Sequence, residues 1–165
     1  MATDETAPDT SATEWLAPHQ PWCMGCGPEN PATLGLRMRP VDGRVVGEAT
    51  LRREHEGAPG YAHGGAVATL LDDALGFIGR LHGHLVVTAR LEIDYRAPVL
   101  MAVPLQVEAW EESAREGRKL YLRGVVRDQA GTVLAEARGL FVVVDRSHFH
   151  AAAGGQAEPD GELPW

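Results

Sequence analysis

Gly65-Ala66-Val67-Ala68-Thr69-Leu70-Leu71-Asp72-Asp73-Ala74-Leu75-Gly76-Phe77-Ile78-Gly79-Arg80-Leu81 is apolar nearly all the way round a helical wheel. A helix patterned in this way must be buried on every side. The chain has no neighbouring helices to bury it, so a sheet has to curl about it. Gly76 and Gly79 each cost roughly 1 kcal/mol relative to Ala inside a helix. The return expected for that cost is close approach of the sheet.

The flanking segments supply the strands, because their apolar period is 2. Leu34, Leu36 and Met38 alternate with Gly35, Arg37 and Arg39 until Pro40, which is expected to stop the run. After a turn at Asp42-Gly43, Val45, Gly47, Ala49 and Leu51 alternate with Val46, Glu48 and Thr50, which completes a hairpin. Beyond the helix, Val87, Ala89, Leu91, Ile93 and Tyr95 alternate with Thr88, Arg90, Glu92, Asp94 and Arg96. One of those faces packs and the other meets water or a ligand. Val103 to Trp110 and Lys119 to Arg127 repeat the pattern. Val133 to Val144 is apolar on both faces in its second half, which places that half centrally. The connections are too short for parallel crossovers. The expected fold is α+β, a curled antiparallel sheet of about six strands around one long central helix.

Charge narrows the function classes. Fifteen Lys and Arg against 23 Asp and Glu give −8. Residues 1–20 hold −4 of this and residues 146–165 hold −2, leaving −2 for residues 21–145. The expected organisation is a mobile acidic tail (1–20), a folded domain (21–145) and a second mobile tail (146–165). A nearly neutral domain lacks the surplus of bases on which nucleic-acid binding rests, so that partner is excluded. The longest strictly apolar runs, such as Leu140 to Val144, fall far short of the roughly 18 residues of a membrane span. Asp4, Glu5 and Asp9 with no base are the wrong charge for a secretory signal. A cytoplasmic protein with no membrane partner is the expectation.

Two features of the helix carry chemistry. Gly64 and Gly65 open it just after His63, and a helix start presents unpaired N–H groups and the positive end of the macrodipole. Those N–H groups suit a carbonyl oxygen that becomes an oxyanion, although Gly-Gly is also an ordinary tight turn. Asp72 and Asp73 lie mid-helix in apolar surroundings, where a carboxylate needs a partner, a raised pKa or a way to solvent. The wheel does not choose between them. Gly64 and Asp72 stand eight residues apart, about 12 Å along a helix. One chain therefore cannot bring both groups to a single reacting carbon. A second copy with its helix antiparallel across a two-fold axis would.

The stretch from Glu54 through His63-Gly64-Gly65, six residues and then Asp72 resembles the signature of the hotdog-fold acyl-CoA thioesterases of the phenylacetate-pathway and THEM type. Thr88 to Val99 is similar to that family's next strand, and Cys23-Met24-Gly25-Cys26-Gly27-Pro28-Glu29-Asn30-Pro31 resembles the leading segment of its THEM-like branch. The resemblance implies a homodimer, with a possible dimer of dimers, hydrolysing an acyl-CoA thioester. It implies Asp72 as nucleophile or base, with the carbonyl held at Gly64, alone or together with Gly65. It also implies His63 lining the site and Thr88 holding water or substrate. No cofactor is implied beyond the coenzyme A of the substrate itself. Several relatives carry Asn or Gln where this chain has Gly57; His55 and Glu56 are each either the substitute or a solvated loop residue.

Tyr61, Phe77 and Trp110 are candidates to shape the acyl pocket. Arg90 and Arg96, with Arg115, Arg118, Lys119, Arg123 and Arg127, are candidates for the coenzyme A phosphates. His82 and His84 follow the helix and are expected to cap its end when charged. Cys23-x-x-Cys26 with His19 nearby suggests zinc, but a structural site needs four ligands and no second Cys pair exists, so no metal is expected. Two rival readings are a hydratase or dehydratase of acyl thioesters, pairing His63 with an acid, and a non-catalytic acyl-CoA binder.

Overall fold

The computed structural model describes residues 14–152. The acids Asp4, Glu5, Asp9, Glu158, Asp160 and Glu162 of the expected mobile tails lie outside the described residues. In chain order come β1 (Arg37–Val41), β2 (Arg44–Thr50), a 3-10 turn (Arg53–His55) and α1 (Gly64–Leu81). Then follow β3 (Val86–Tyr95), β4 (Pro104–Glu111), β5 (Lys119–Arg127), β6 (Val133–Val143) and α2 (Ser147–Ala152). One antiparallel sheet, ordered β1-β2-β4-β5-β6-β3, packs around α1. This is the hotdog arrangement. Among the described residues no helix is long and apolar enough to cross a membrane.

Burial follows the pattern read from the sequence. Leu70, Leu71, Ala74, Leu75 and Ile78 of α1 are wholly inaccessible, against Val107, Leu120, Leu122, Val126 and Ala135 of the sheet. At Gly79 the sheet does come close, since a Cβ there would lie 2.6 Å from Val86 Cγ2. Gly76 departs from the expectation. A Cβ there would meet the ring of His19 at 3.3 Å, so it is the N-terminal arm that covers this flank of α1. The arm begins before residue 21. Leu16 N–H donates to Met38 O at 2.8 Å, and Arg80 donates to Ala17 O and Pro18 O.

Pro40 does not end β1; it pairs in register with Val45 inside the strand. β1 is an edge strand, where a missing N–H costs no ladder bond. The Asp42-Gly43 turn has positive φ at both residues (49° and 77°), as a two-residue hairpin requires. β6 is central, between β5 and β3. β3, ten residues long, pairs with β6 on one side and forms the other edge of the sheet.

A bulge in β3 decides where its side chains point. The register jumps between Thr88, opposite Phe141, and Arg90, opposite Leu140, leaving Ala89 as the extra residue. The extra residue reverses the phase of the strand. Thr88 therefore joins Leu91, Ile93 and Tyr95 on the helix side, while Arg90, Glu92 and Asp94 stay on the outer side. Strict alternation had put Thr88 with the outer set.

Candidate active site

α1 starts on a cap built by its own N-cap residue. His63 has φ −63° and ψ 137°, and its Nδ1 accepts the Gly65 N–H at 2.8 Å. The N–H groups of Ala66 and Val67 donate to His63 O. Of the orphan donors at this helix start, only the Gly64 N–H has no acceptor among the described residues, and Gly64 is an exposed residue. The pair of donors expected from Gly64 and Gly65 is thus one donor, because His63 has taken the other. Tyr95 OH donates to Gly64 O at 2.8 Å, which ties the helix start to the end of β3.

Two turns along, the adjacent carboxylates part company. Successive helical residues differ by about 100°, enough to send them to opposite flanks. Asp72 turns toward β3, where Thr88 Oγ1–H donates to Asp72 Oδ1 at 2.8 Å. Burial pushes the Asp72 carboxyl above the usual range; the Thr88 hydrogen bond opposes this and the Asp73 charge adds to it. Asp73 turns toward the N-terminal arm, beside His19, Cys23 and Cys26. The helical wheel left the choice between the two open while the resemblance named Asp72, and the structure gives them different neighbours.

The other candidates fall away from Asp72. Arg90 pairs with Glu92, and Arg96 with Glu136 at 3.1 Å and Asp94 at 3.4 Å, on the far side of β3. Arg123 pairs with Glu112 at 2.8 Å, and Arg127 donates to Gly131 O. Tyr61 is exposed on the loop before α1 and bridges Leu100. Phe77 is core, and Trp110 stacks under Arg44. His55 is buried, with Nδ1 accepting the Arg52 N–H at 3.0 Å and Nε2 3.0 Å from Ala32 O. Glu56 accepts the Gly60 N–H at 2.7 Å. Both residues hold the loop. A Cβ at Gly57 would lie 2.9 Å from His63 Cα, which explains the glycine. His82 and His84 do not cap α1 with their rings. His82 pairs with Glu111 at 2.6 Å and His84 meets Arg115, while their backbone N–H groups close the helix end around Gly83, at φ 68°.

Known proteins bear out the resemblance read from the motif. Residues 59–135 match the family model of the thioesterase superfamily. Acyl-coenzyme A thioesterase THEM4 of Bos taurus is 40% identical over 91 residues, 54% of this chain and 37% of its own length. The chain spans well under half the length of the curated relatives it matches. A crystallised thioesterase superfamily protein is 34% identical, with TM-score 0.69 over 74% of this chain and 60% of its own. The PaaI protein of the E. coli phenylacetic acid degradation operon shares the fold at 19% identity, TM-score 0.63, over 68% of this chain and 81% of its own.

Proposed function

We propose, from the thioesterase-superfamily match of residues 59–135, that this chain is an acyl-CoA thioesterase whose site is shared between two copies of itself. The observation that carries the reading is a pair of functions on α1: at exposed Gly64 an N–H without an acceptor among the described residues, and a half-buried Asp72 carboxylate held by Thr88. In the proposed reaction the thioester oxygen rests on the Gly64 N–H at the positive end of α1. The Asp72 carboxylate of the other copy either takes a proton from the attacking water or attacks the carbonyl carbon itself. The C–S bond then breaks and the sulfur takes up a proton; in the base variant the free acid and coenzyme A leave together, whereas in the nucleophilic variant coenzyme A leaves first and a water then hydrolyses the Asp72–acyl anhydride to release the acid. In both variants Asp72 must be ionised, and the Thr88 hydroxyl orients it.

His63 supports hydrolysis over dehydration. A dehydratase needs it as a base, yet Nδ1 is occupied as acceptor of the Gly65 N–H, so the neutral ring carries its proton on Nε2. That nitrogen is a donor. The test is thiol release from a panel of acyl-CoA esters by the native chain and by Asp72→Asn. A fall in rate of at least about 100-fold is expected. Equal rates in the two proteins would remove the proposed role. Ligand binding with no thiol released by the native chain would instead support the acyl-CoA binder.

A further inference from the structure

We propose that His19, Cys23, Cys26 and Asp73 form a four-ligand site for a zinc-class divalent cation, pinning the N-terminal arm to the middle of α1. The four donor atoms all lie within 4.8 Å of one another. His19 Nδ1 is 2.9 Å from Asp73 Oδ1, Cys23 Sγ is 3.2 Å from the same oxygen, and Cys26 Sγ is 3.4 Å from His19 Nδ1. A tetrahedron with zinc–ligand arms of about 2.0–2.3 Å has edges of about 3.3–3.8 Å. The observed separations straddle that range, so small side-chain adjustments seat the ion. The fourth ligand missing from the Cys-x-x-Cys reading is thus an aspartate supplied by the helix, 47 residues beyond Cys26.

The surroundings favour a cation over a self-sufficient hydrogen-bonded cluster. Asp73 Oδ2 is shut off from solvent and has no hydrogen-bond partner among the described residues, so the carboxylate has an acceptor to spare for a cation. Buried polar atoms left in that state are costly. Cys26 is 8% exposed, and its sulfur accepts the His19 backbone N–H at 3.2 Å, a contact that stabilises thiolate charge. The loop is folded hard against the carboxylate. A Cβ at Gly25 would lie 2.3 Å from Asp73 Cγ, and one at Gly27 would lie 2.2 Å from Cys23 N. Two sulfurs, an imidazole and one carboxylate are a borderline-soft set that selects zinc over magnesium or calcium. Four protein ligands close the coordination sphere, which makes the site structural. Asp72, turned toward β3, takes no part in it.

The test uses the full chain, purified without chelator, with metal measured by mass spectrometry. About one zinc per chain is expected. Cobalt added to the stripped protein should give the visible absorption of a tetrahedral thiolate site, and zinc should abolish it. Zinc should also protect both cysteines from alkylation. Cys26→Ser and Asp73→Asn should each lower zinc affinity at least about 10-fold. If either variant fails to fold, the cobalt titration and the alkylation of the native chain decide alone. Reduced, folded native chain that retains less than about 0.1 zinc after zinc loading and desalting would overturn the proposal. So would a Cys23–Cys26 disulfide that persists under reductant, or native zinc affinity in folded Cys26→Ser.

Discussion

Replacing Gly64 by proline separates the oxyanion donor from the fold. Gly64 is the first residue of α1, the position where proline is best tolerated, because that N–H has no intrahelical partner. Here it has no other partner among the described residues either. The preceding residue must be extended, and His63 already sits at φ −63° and ψ 137°. A Cβ at Gly64 would rest 3.7 Å from the Tyr95 ring, an ordinary contact. Proline at a compatible glycine adds about 0.4–1 kcal/mol of stability by restricting the unfolded chain. Losing one oxyanion donor costs about 100- to 1000-fold in turnover, or 2.7–4 kcal/mol. Gly64→Pro should therefore unfold no earlier than the native chain while its kcat/KM for thiol release falls by at least about 100-fold. Gly64→Ala keeps the N–H and should stay within about threefold, roughly 0.7 kcal/mol of barrier. A folded Gly64→Pro protein as active as Gly64→Ala would refute the assignment of the donor.

Thr88→Val keeps the shape of the side chain and removes a hydrogen bond to a half-exposed carboxylate, worth about 1 kcal/mol after discounting for solvent. The acid limb of kcat/KM should move to higher pH by about 0.5–1 unit, and a limb that stays put or moves down would contradict the Thr88 role. Folding raises the Asp72 pKa, so the stability linked to this group is full at low pH and is lost as pH rises through its folded value. Asp72→Asn removes that loss, so its unfolding midpoint at neutral pH should be no lower than native, and a marked drop in calorimetry would contradict the burial argument. Random equal mixing of Asp72→Asn with Gly64→Pro should restore about a quarter of native activity, since half the dimers then hold one intact site of two. No recovery, with mixed dimers demonstrated by mass, would exclude a shared site.

What the sequence made legible is what its local periods encode. The all-round apolarity of Ala66 to Ile78 forced a wrapped helix, and Asp42-Gly43 announced a hairpin, since both depend on near neighbours. Pro40 misled because its effect depends on which strand becomes an edge, a property of sheet order. Ala89 misled for the opposite reason: period-2 alternation runs straight through it, and only pairing with β6 reveals the bulge. The family pattern gave Thr88 the holding of water or substrate, and the structure sets it against Asp72, but alternation alone pointed its side chain the wrong way. The partners of Asp73 lie 47 to 54 residues away, beyond any window in which spacing has meaning. The capture of the Gly65 N–H by His63 is local, and the N-cap preference could have exposed it. Histidine is simply not among the residues that rule favours.

In the dimer proposed above, one arrangement would meet both the need for a second chain and the exposed edge of β3. Ten residues of unpaired edge invite pairing with another strand, which proteins must either block or use. The same strand carries Thr88 beside Asp72 near its start and Tyr95 beside Gly64 at its end. A two-fold axis through the middle of that edge runs the partner's β3 antiparallel, so the start of one strand lies against the end of the other. The Asp72 end of one copy is then carried toward the Gly64 end of its mate, and the separation of about 12 Å along a single helix no longer forbids a common reacting carbon. An edge covered instead by a translated, parallel copy would bring like ends together and leave each site with half its groups. Cross-linking across β3 therefore discriminates: cysteines placed at Val87 and Asp94, which an axis through the middle of Val86–Tyr95 sets opposite each other, should cross-link as the unlike pair in an antiparallel dimer. Preferential linkage of like positions near both ends would remove the geometric basis of the shared site.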